Sequence, residues 1–175
     1  MLNAKKLIHH LSFIIHNFLI KTMIEQHQFC TFFLNEFFFG IDVCHVQEVI
    51  RYQEMTCVPL APPDICGLIN LRGQIVTTID LRCRLEMGEF SVKSISELEP
   101  EQLPYNVVVR TDNEVVSLLV DDIGDILEFT PDNFEPPPAT LQGKLHQVLQ
   151  GAYKLKDKFL LILDTEKVLE VKGTR

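Results

Sequence analysis

The chain has 175 residues, of which 46% are hydrophobic, and its formal net charge is -8 at pH 7. This length allows one domain or two small ones, and the apolar fraction is large enough to build a buried core. The negative charge, without any run of Lys or Arg, argues against a surface that follows nucleic-acid phosphates, so no nucleic-acid partner is expected.

The five cysteines form no CxxC pair, and their number is odd. Such a pattern fits neither a disulfide framework nor a zinc site. We interpret them as buried thiols of a protein in the reducing cytoplasm. Their positions are Cys30, Cys44, Cys57, Cys66 and Cys83.

The N-terminal part of the chain has an unusual composition, with Lys5 and Lys6 followed by an apolar run at 7–20 that several histidines interrupt. The run is too short and too polar to span a bilayer, and no small-residue cleavage site follows it. We interpret residues 1–22 as an atypical extension that begins at an upstream in-frame start. An amphipathic helix lying against the domain is the alternative.

The domain that follows, residues 23–175, is predicted to begin with a β-hairpin. Two strand-like segments, 29–33 and 37–43, flank the turn-forming pair Asn35-Glu36. Residues 44–50 fit either one helical turn or a strand with a bulge, and their spacing leaves both open.

A loop framed by prolines comes next. Pro59, Pro62 and Pro63 each lack an N–H donor and restrict the residue before them, so regular structure is expected to stop there. Asp64 follows directly and is placed to cap a very short helical turn.

The stretch from Gly67 to Arg82 contains two apolar runs that meet at one Arg-Gly step. Both runs are too short for a buried helix, and the second is rich in β-branched residues, so two strands joined by a tight turn are predicted. Gly73 supplies the positive φ that such a turn needs. Arg72 would then stand at the tip, either as an ordinary solvated residue or as a group that meets a partner's carboxylate or carbonyl.

The second half of the domain is predicted to be a further set of short strands. Residues 86–104 are polar and acidic and are interpreted as a long surface loop. A short C-terminal helix at 164–171 is expected to be capped by Asp164 or Thr165. The strand-like segments between the loop and the helix are 106–110, 115–120, 123–129, 149–155 and 159–163.

Many short strands at a spacing of roughly 8–12 residues, with little helix, indicate antiparallel barrels or a sandwich. We therefore predict a mainly β fold with two small barrels, the first at about 29–85 and the second at about 105–163.

The chain contains no GxGxxG, Walker, HExxH or GxSxG motif. Cys44 and His45 are adjacent, and neighbours on a strand point to opposite faces, so they are not expected to form a thiolate–imidazole pair. Asp121, Asp122 and Asp125 lack the ligand spacing of a calcium loop and are interpreted as a solvated strand end. We predict no catalytic residue, metal or cofactor, and keep a small cysteine-dependent hydrolase or redox enzyme as the alternative class.

One set of segments is spread over most of the chain: 39–49, Pro62-Pro63, 67–82, 120–127, 151–152 and 160–164. Together these segments closely resemble the CheW family of chemotaxis coupling proteins, over about residues 29–170. Residues 1–22 lie outside this resemblance.

The resemblance implies two intertwined SH3-like five-stranded β-barrels with a hydrophobic core between them. It also implies a cytoplasmic, non-enzymatic adaptor without cofactors. Its partners would be the cytoplasmic tip of methyl-accepting chemoreceptors and the regulatory domain of a CheA-type histidine kinase, with the membrane reached only through the receptors. An array that controls gliding or pilus motility is the alternative output.

Carried over from the family, the receptor-contact positions fall on Val46, Glu48 and Arg72, with Gly67 and Asn70 shaping the loop beside them. In an extended segment, Val46 and Glu48 would share a face and offer an apolar anchor beside a charged rim. No motif assigns individual residues to the kinase.

Overall fold

The computed structural model describes residues 26–88 and 98–170. The predicted extension at 1–22, and residues 89–97 of the predicted acidic loop, lie outside the described residues. The strands are β1 His27–Leu34, β2 Phe37–Asp42, β3 Val46–Arg51, β4 Ile65–Leu71, β5 Gln74–Asp80, β6 Tyr105–Arg110, β7 Val115–Val120, β8 Asp122–Phe129, β9 Phe134–Glu135, β10 Leu149–Lys154 and β11 Phe159–Leu163. The α-helices are α1 Leu81–Arg84, α2 Gly143–Val148 and α3 Thr165–Glu170, and 3₁₀ turns span Val43–His45, Pro100–Gln102 and Pro131–Asn133.

The strands form two sheets. A 6-stranded sheet has the order β8-β1-β2-β11-β10-β9, and a 5-stranded sheet has the order β3-β6-β7-β5-β4. Neighbouring strands are antiparallel except for the parallel pairs β2–β11 and β5–β7. The predicted mainly β fold is confirmed, and the larger sheet exceeds the expected five strands by the two-residue β9.

The two sheets do not follow the two halves of the sequence. Strands β1 and β2 join strands from the C-terminal half, because β1 pairs with β8 and β2 pairs with β11. The chain crosses from the larger to the smaller sheet at Val43–His45, and it returns at Asp121, the single residue between β7 and β8. The predicted barrel limits, 29–85 and 105–163, divide the chain in sequence, whereas each sheet takes strands from both ranges.

Buried side chains form three clusters. The central core draws on both sheets and all three α-helices, with Phe32, Phe39, Val107 and Leu118 fully buried. The six-strand core contains only residues of the larger sheet, Phe29, Phe38, Tyr153, Leu160 and Ile162. The five-strand core contains only residues of the smaller sheet, Ile69, Leu71, Val76 and Val108. Each sheet therefore encloses a small core of its own, and the two sheets share a larger core between them.

The local predictions for the first hairpin and for 44–50 are confirmed in different ways. Asn35 adopts a φ of 52° in the turn between β1 and β2, a conformation that Asn tolerates better than most residues. Of the two alternatives for 44–50, the structure shows the strand with a bulge: β3 begins at Val46 and has a register shift between Val46 and Glu48, and a 3₁₀ turn at Val43–His45 precedes it.

The predicted capping role of Asp64 is wrong. Asp64 precedes a strand, not a helix, and is 1% exposed. Its Oδ2 accepts hydrogen bonds from Nε and Nη2 of Arg84, each at 2.6 Å. Nη1 of Arg84 also donates to the backbone oxygen of Val168 at 3.2 Å. A buried carboxylate needs a cationic partner, and Arg84 supplies it. Through Arg84, Asp64 connects the proline-framed loop to α1 and α3.

The C-terminal helix is confirmed at Thr165–Glu170, inside the predicted range. Oδ1 of Asp164 accepts a hydrogen bond from the backbone N–H of Lys167 at 3.2 Å, which is the contact of an N-cap residue. Of the two predicted capping residues, Asp164 therefore makes the cap.

Candidate interaction site at the β4–β5 hairpin

The turn between β4 and β5 places Arg72 at an exposed tip. Arg72 has a φ of 52° and Gly73 a φ of 89°, so both central residues of this two-residue turn are left-handed, as in a type I′ hairpin. The side-chain oxygen of Asn70 accepts a hydrogen bond from the backbone N–H of Gly73 at 2.8 Å. This bond holds the turn that carries Arg72.

An ion pair connects this tip to β3. Nη2 of Arg72 lies 2.8 Å from Oε2 of Glu48, and the two side chains are 81% and 16% exposed, respectively. Since β3 and β4 are the two end strands of the five-stranded order, the pair joins opposite ends of one sheet. The sheet is therefore strongly curled around its own core, with Arg72 and Glu48 at the rim.

The ion pair orients the exposed Arg72 side chain but contributes little to the stability of the fold. A pair with one partner this exposed is worth at most about 1 kcal/mol, because water screens its charges. Most of the Arg72 guanidinium faces solvent, where its planar set of donors can bind a carboxylate or a carbonyl oxygen.

Val46 does not lie with Glu48, and the expectation that they share a face is wrong. Val46 is opposite Val109, whereas Glu48 is opposite Val108, which leaves one extra residue in β3 between them. Because adjacent residues of β6 point to opposite faces, this bulge also puts Val46 and Glu48 on opposite faces. Val46 packs against the central core.

Ile75 supplies the exposed apolar side chain near Arg72. It lies opposite Asn70 at the start of β5 and is 63% exposed. The sequence prediction does not single out Ile75, which stands in a run of β-branched residues of the kind common in cores. Its nearness to the turn is the signal that could have identified it, because a strand end beside a turn extends beyond the core.

Gly67 lets a second segment cross β4 closely. A Cβ atom at Gly67 would lie 2.6 Å from the backbone oxygen of Thr56. Thr56 and Leu68 form an antiparallel bridge with two hydrogen bonds of 2.9 Å. The absence of a side chain at Gly67 thus allows the segment around Thr56 to pair with the outer edge of β4.

The whole described domain has known relatives. Residues 28–172 match the family model described as CheW-like domain. The chain belongs to the CheW family. It is 32% identical over 142 residues to a chemotaxis protein CheW of Klebsiella aerogenes, with 81% of each chain covered. It is 27% identical over 148 residues to the CheW of Treponema pallidum, with 85% of each covered.

The fold agrees with a solved structure of the same family. The crystal structure of the scaffolding protein TtCheW from Thermoanaerobacter tengcongensis matches with a TM-score of 0.68 and 27% identity, covering 85% of this chain and 91% of that one. The family resemblance is therefore confirmed. As a CheW-family protein, the chain is a scaffold of chemotaxis signalling and not an enzyme.

The cysteines are less buried than predicted. Cys30 is buried, but Cys44 and Cys57 are exposed, because they lie in a 3₁₀ turn and in a loop and not on core strands. The adjacent His45 is turned away, with Nδ1 3.3 Å from Oγ1 of Thr165. Cys66 and Cys83 are partly buried, so the interpretation of all five as buried thiols is confirmed for Cys30 alone and is wrong for Cys44 and Cys57.

The pKa values of the Cys44 and Cys66 thiols are raised, which favours the protonated, unreactive form. The neighbouring Asp42 raises the pKa of the Cys44 thiol through a side-chain hydrogen bond and its negative charge. Burial, with a smaller contribution from Asp80, raises the pKa of Cys66 to about 12. A higher pKa lowers the fraction of thiolate, which is the nucleophile.

Labelling with iodoacetamide at neutral pH should therefore find no activated cysteine. We expect Cys66 to stay unlabelled in the native protein, and exposed Cys44 to react more slowly than in the urea-unfolded chain. Mass spectrometry of native and unfolded samples gives both rates, with the unfolded chain as the internal control. Native labelling of Cys44 faster than in urea would contradict this prediction.

The three aspartates after β7 include a structural residue. Asp121 accepts hydrogen bonds from Nε of Arg82 at 2.7 Å and from the backbone N–H of Asn35 at 2.6 Å. It therefore links the crossing point between the sheets to α1 and to the first hairpin, and is not simply solvated. Within residues 26–88 and 98–170, no group of three or more His, Cys, Asp or Glu is arranged to hold a metal ion. In the same ranges no helix is long and apolar enough to cross a membrane.

Proposed function

We propose that this chain couples methyl-accepting chemoreceptors to a CheA-type histidine kinase at the cytoplasmic tip of the receptors. The observation that carries the proposal is the Arg72 guanidinium, which is 81% exposed yet oriented by Glu48 at 2.8 Å. Membership of the CheW family supports a scaffold role. A scaffold needs surfaces that bind two partners at once, and the rim of the five-stranded sheet is the first of these.

The proposed receptor surface consists of Glu48, Arg72 and Ile75, with Asn70 and Gly67 as supports. Ile75, 63% exposed, provides an apolar anchor, and the ion pair provides a charged rim. This combination suits the flank of a helical hairpin, where an apolar stripe gives affinity and nearby charges set orientation. Val46 would support this surface indirectly, because its side chain packs against the central core on the other face of β3.

The test is assembly of three purified components. The full chain, a receptor cytoplasmic-tip fragment and a CheA regulatory domain should form each binary complex and one ternary complex in size-exclusion chromatography with light scattering. Two binary complexes that exclude each other would contradict coupling, because a coupler must hold both partners together. Binding to neither fragment would remove the proposal altogether.

A further inference from the structure

The proline-framed loop ends in an apolar tip that the fold does not use. Leu60 is 101% exposed and has a φ of 62°. It follows Pro59 in a turn closed by a hydrogen bond from the backbone N–H of Ala61 to the oxygen of Val58, at 3.3 Å. A turn with proline second and a left-handed third residue normally has Gly or Asn at that third position.

Leucine is disfavoured here on two separate grounds. Its Cβ makes the left-handed backbone unfavourable, and its side chain leaves all its apolar surface in water. Neither effect is compensated inside the described fold, because a side chain this exposed packs against nothing. Folding alone would favour Gly or Asn, which indicates that the side chain is used outside the domain.

The tip is held firmly in place. Thr56 is bridged to Leu68 on one side of the turn, and on the other side the N–H of Ile65 donates to the oxygen of Pro62 at 3.0 Å. Asp64 is anchored by Arg84 at 2.6 Å. A rigid apolar side chain loses little conformational freedom on binding, which is the property of an effective anchor residue.

The tip lies away from the proposed receptor surface. The segment from Thr56 runs antiparallel to β4, so Leu60 is near the strand's first residue, Ile65, whereas Arg72 follows its last. Seven residues of strand separate these ends by about 20 Å. A receptor hairpin seated on Arg72 would therefore leave Leu60 accessible.

We infer that Leu60 is the anchor of the second docking surface, and that it inserts into an apolar pocket of the kinase regulatory domain. This inference rests on the proposed function, which requires two surfaces that can be occupied together. The exposed residues around the tip, Cys57, Pro59, Pro62 and Pro63, carry no charge and suit the same apolar partner.

The decisive variant is Leu60→Asn, with Leu60→Met as the matched control. Asn fits the left-handed turn, so the melting temperature should stay unchanged or rise. Affinity for the kinase domain, measured by calorimetry, should fall about tenfold or more, since an anchor is lost. Leu60→Met keeps an apolar tip and should bind within about threefold of wild type. Affinity for the receptor fragment should not change in either variant.

The outcomes separate this inference from the proposed function. If wild type binds both fragments and Leu60→Asn binds the kinase domain equally well, the inference fails and the proposed function stands. If Leu60→Asn loses affinity for the receptor fragment alone, Leu60 contacts the receptor and not the kinase domain, and the inference fails. A lowered melting temperature with loss of both partners would make Leu60 a structural residue. A wild-type chain that does not bind the kinase domain would overturn both.

Discussion

Replacing Arg84 with Met is expected to destabilise the fold by about 3–5 kcal/mol. Asp64 and Arg84 side chains are 1% and 7% exposed, so the substitution leaves a carboxylate in the interior without its cation. It also removes the donor to the carbonyl oxygens of Val168 and Leu169, which ties α3 to α1. Urea unfolding followed by circular dichroism measures the loss as a lower midpoint.

The matched control is the double variant Asp64→Leu with Arg84→Met. Removing both charges avoids the uncompensated carboxylate, so the double variant should be clearly more stable than Arg84→Met alone. A double variant no more stable than Arg84→Met would show that the lost contacts to α3, which both variants share, and not the buried charge, dominate. A single variant within about 1 kcal/mol of wild type would contradict the prediction itself.

Replacing Arg72 with Glu is expected to weaken binding of a receptor-tip fragment by about 1–3 kcal/mol, roughly 5–150-fold in Kd. The change removes the exposed cation and sets two carboxylates against each other at the 2.8 Å contact with Glu48. Stability should change by less than about 1 kcal/mol, since the pair is largely solvated. Calorimetric titration gives the affinity, and a thermal melt gives the stability.

A charge-swapped chain, Glu48→Arg with Arg72→Glu, distinguishes the two roles of this pair. It restores an ion pair across the ends of the sheet but reverses the sign of the exposed group at the tip. We expect wild-type stability with receptor binding still impaired, and unchanged binding of the kinase domain. Recovery of receptor binding in the swap would mean that the pair acts only through the fold.

Val46→Glu is not a clean test of this surface. Val46 is partly buried against the central core, so a carboxylate there would destabilise the domain and reduce binding of every partner. Ile75→Asn probes the apolar part of the surface instead, because Ile75 is 63% exposed and its loss leaves the core intact.

The class of fold, all strands but β9, and the family were predictable from the amino-acid sequence. Strand positions follow from apolar runs of 4–8 residues and from turn residues such as Asn35 and Gly73, whose conformations are local properties of the chain. The Arg72-Gly73 turn was predictable for the same reason. The family followed from segments spread over most of the domain.

Which of these residues come into contact depends on the tertiary structure. The bulge in β3 is set by its pairing with β6, and it moved Val46 away from Glu48 although the spacing along the chain suggested one face. The Arg84–Asp64 pair, the crossing at Asp121 and the exposure of Ile75 and Leu60 depend on contacts between distant segments. Local pattern cannot report such contacts, because burial and pairing are properties of the assembled sheets and not of any one stretch of sequence.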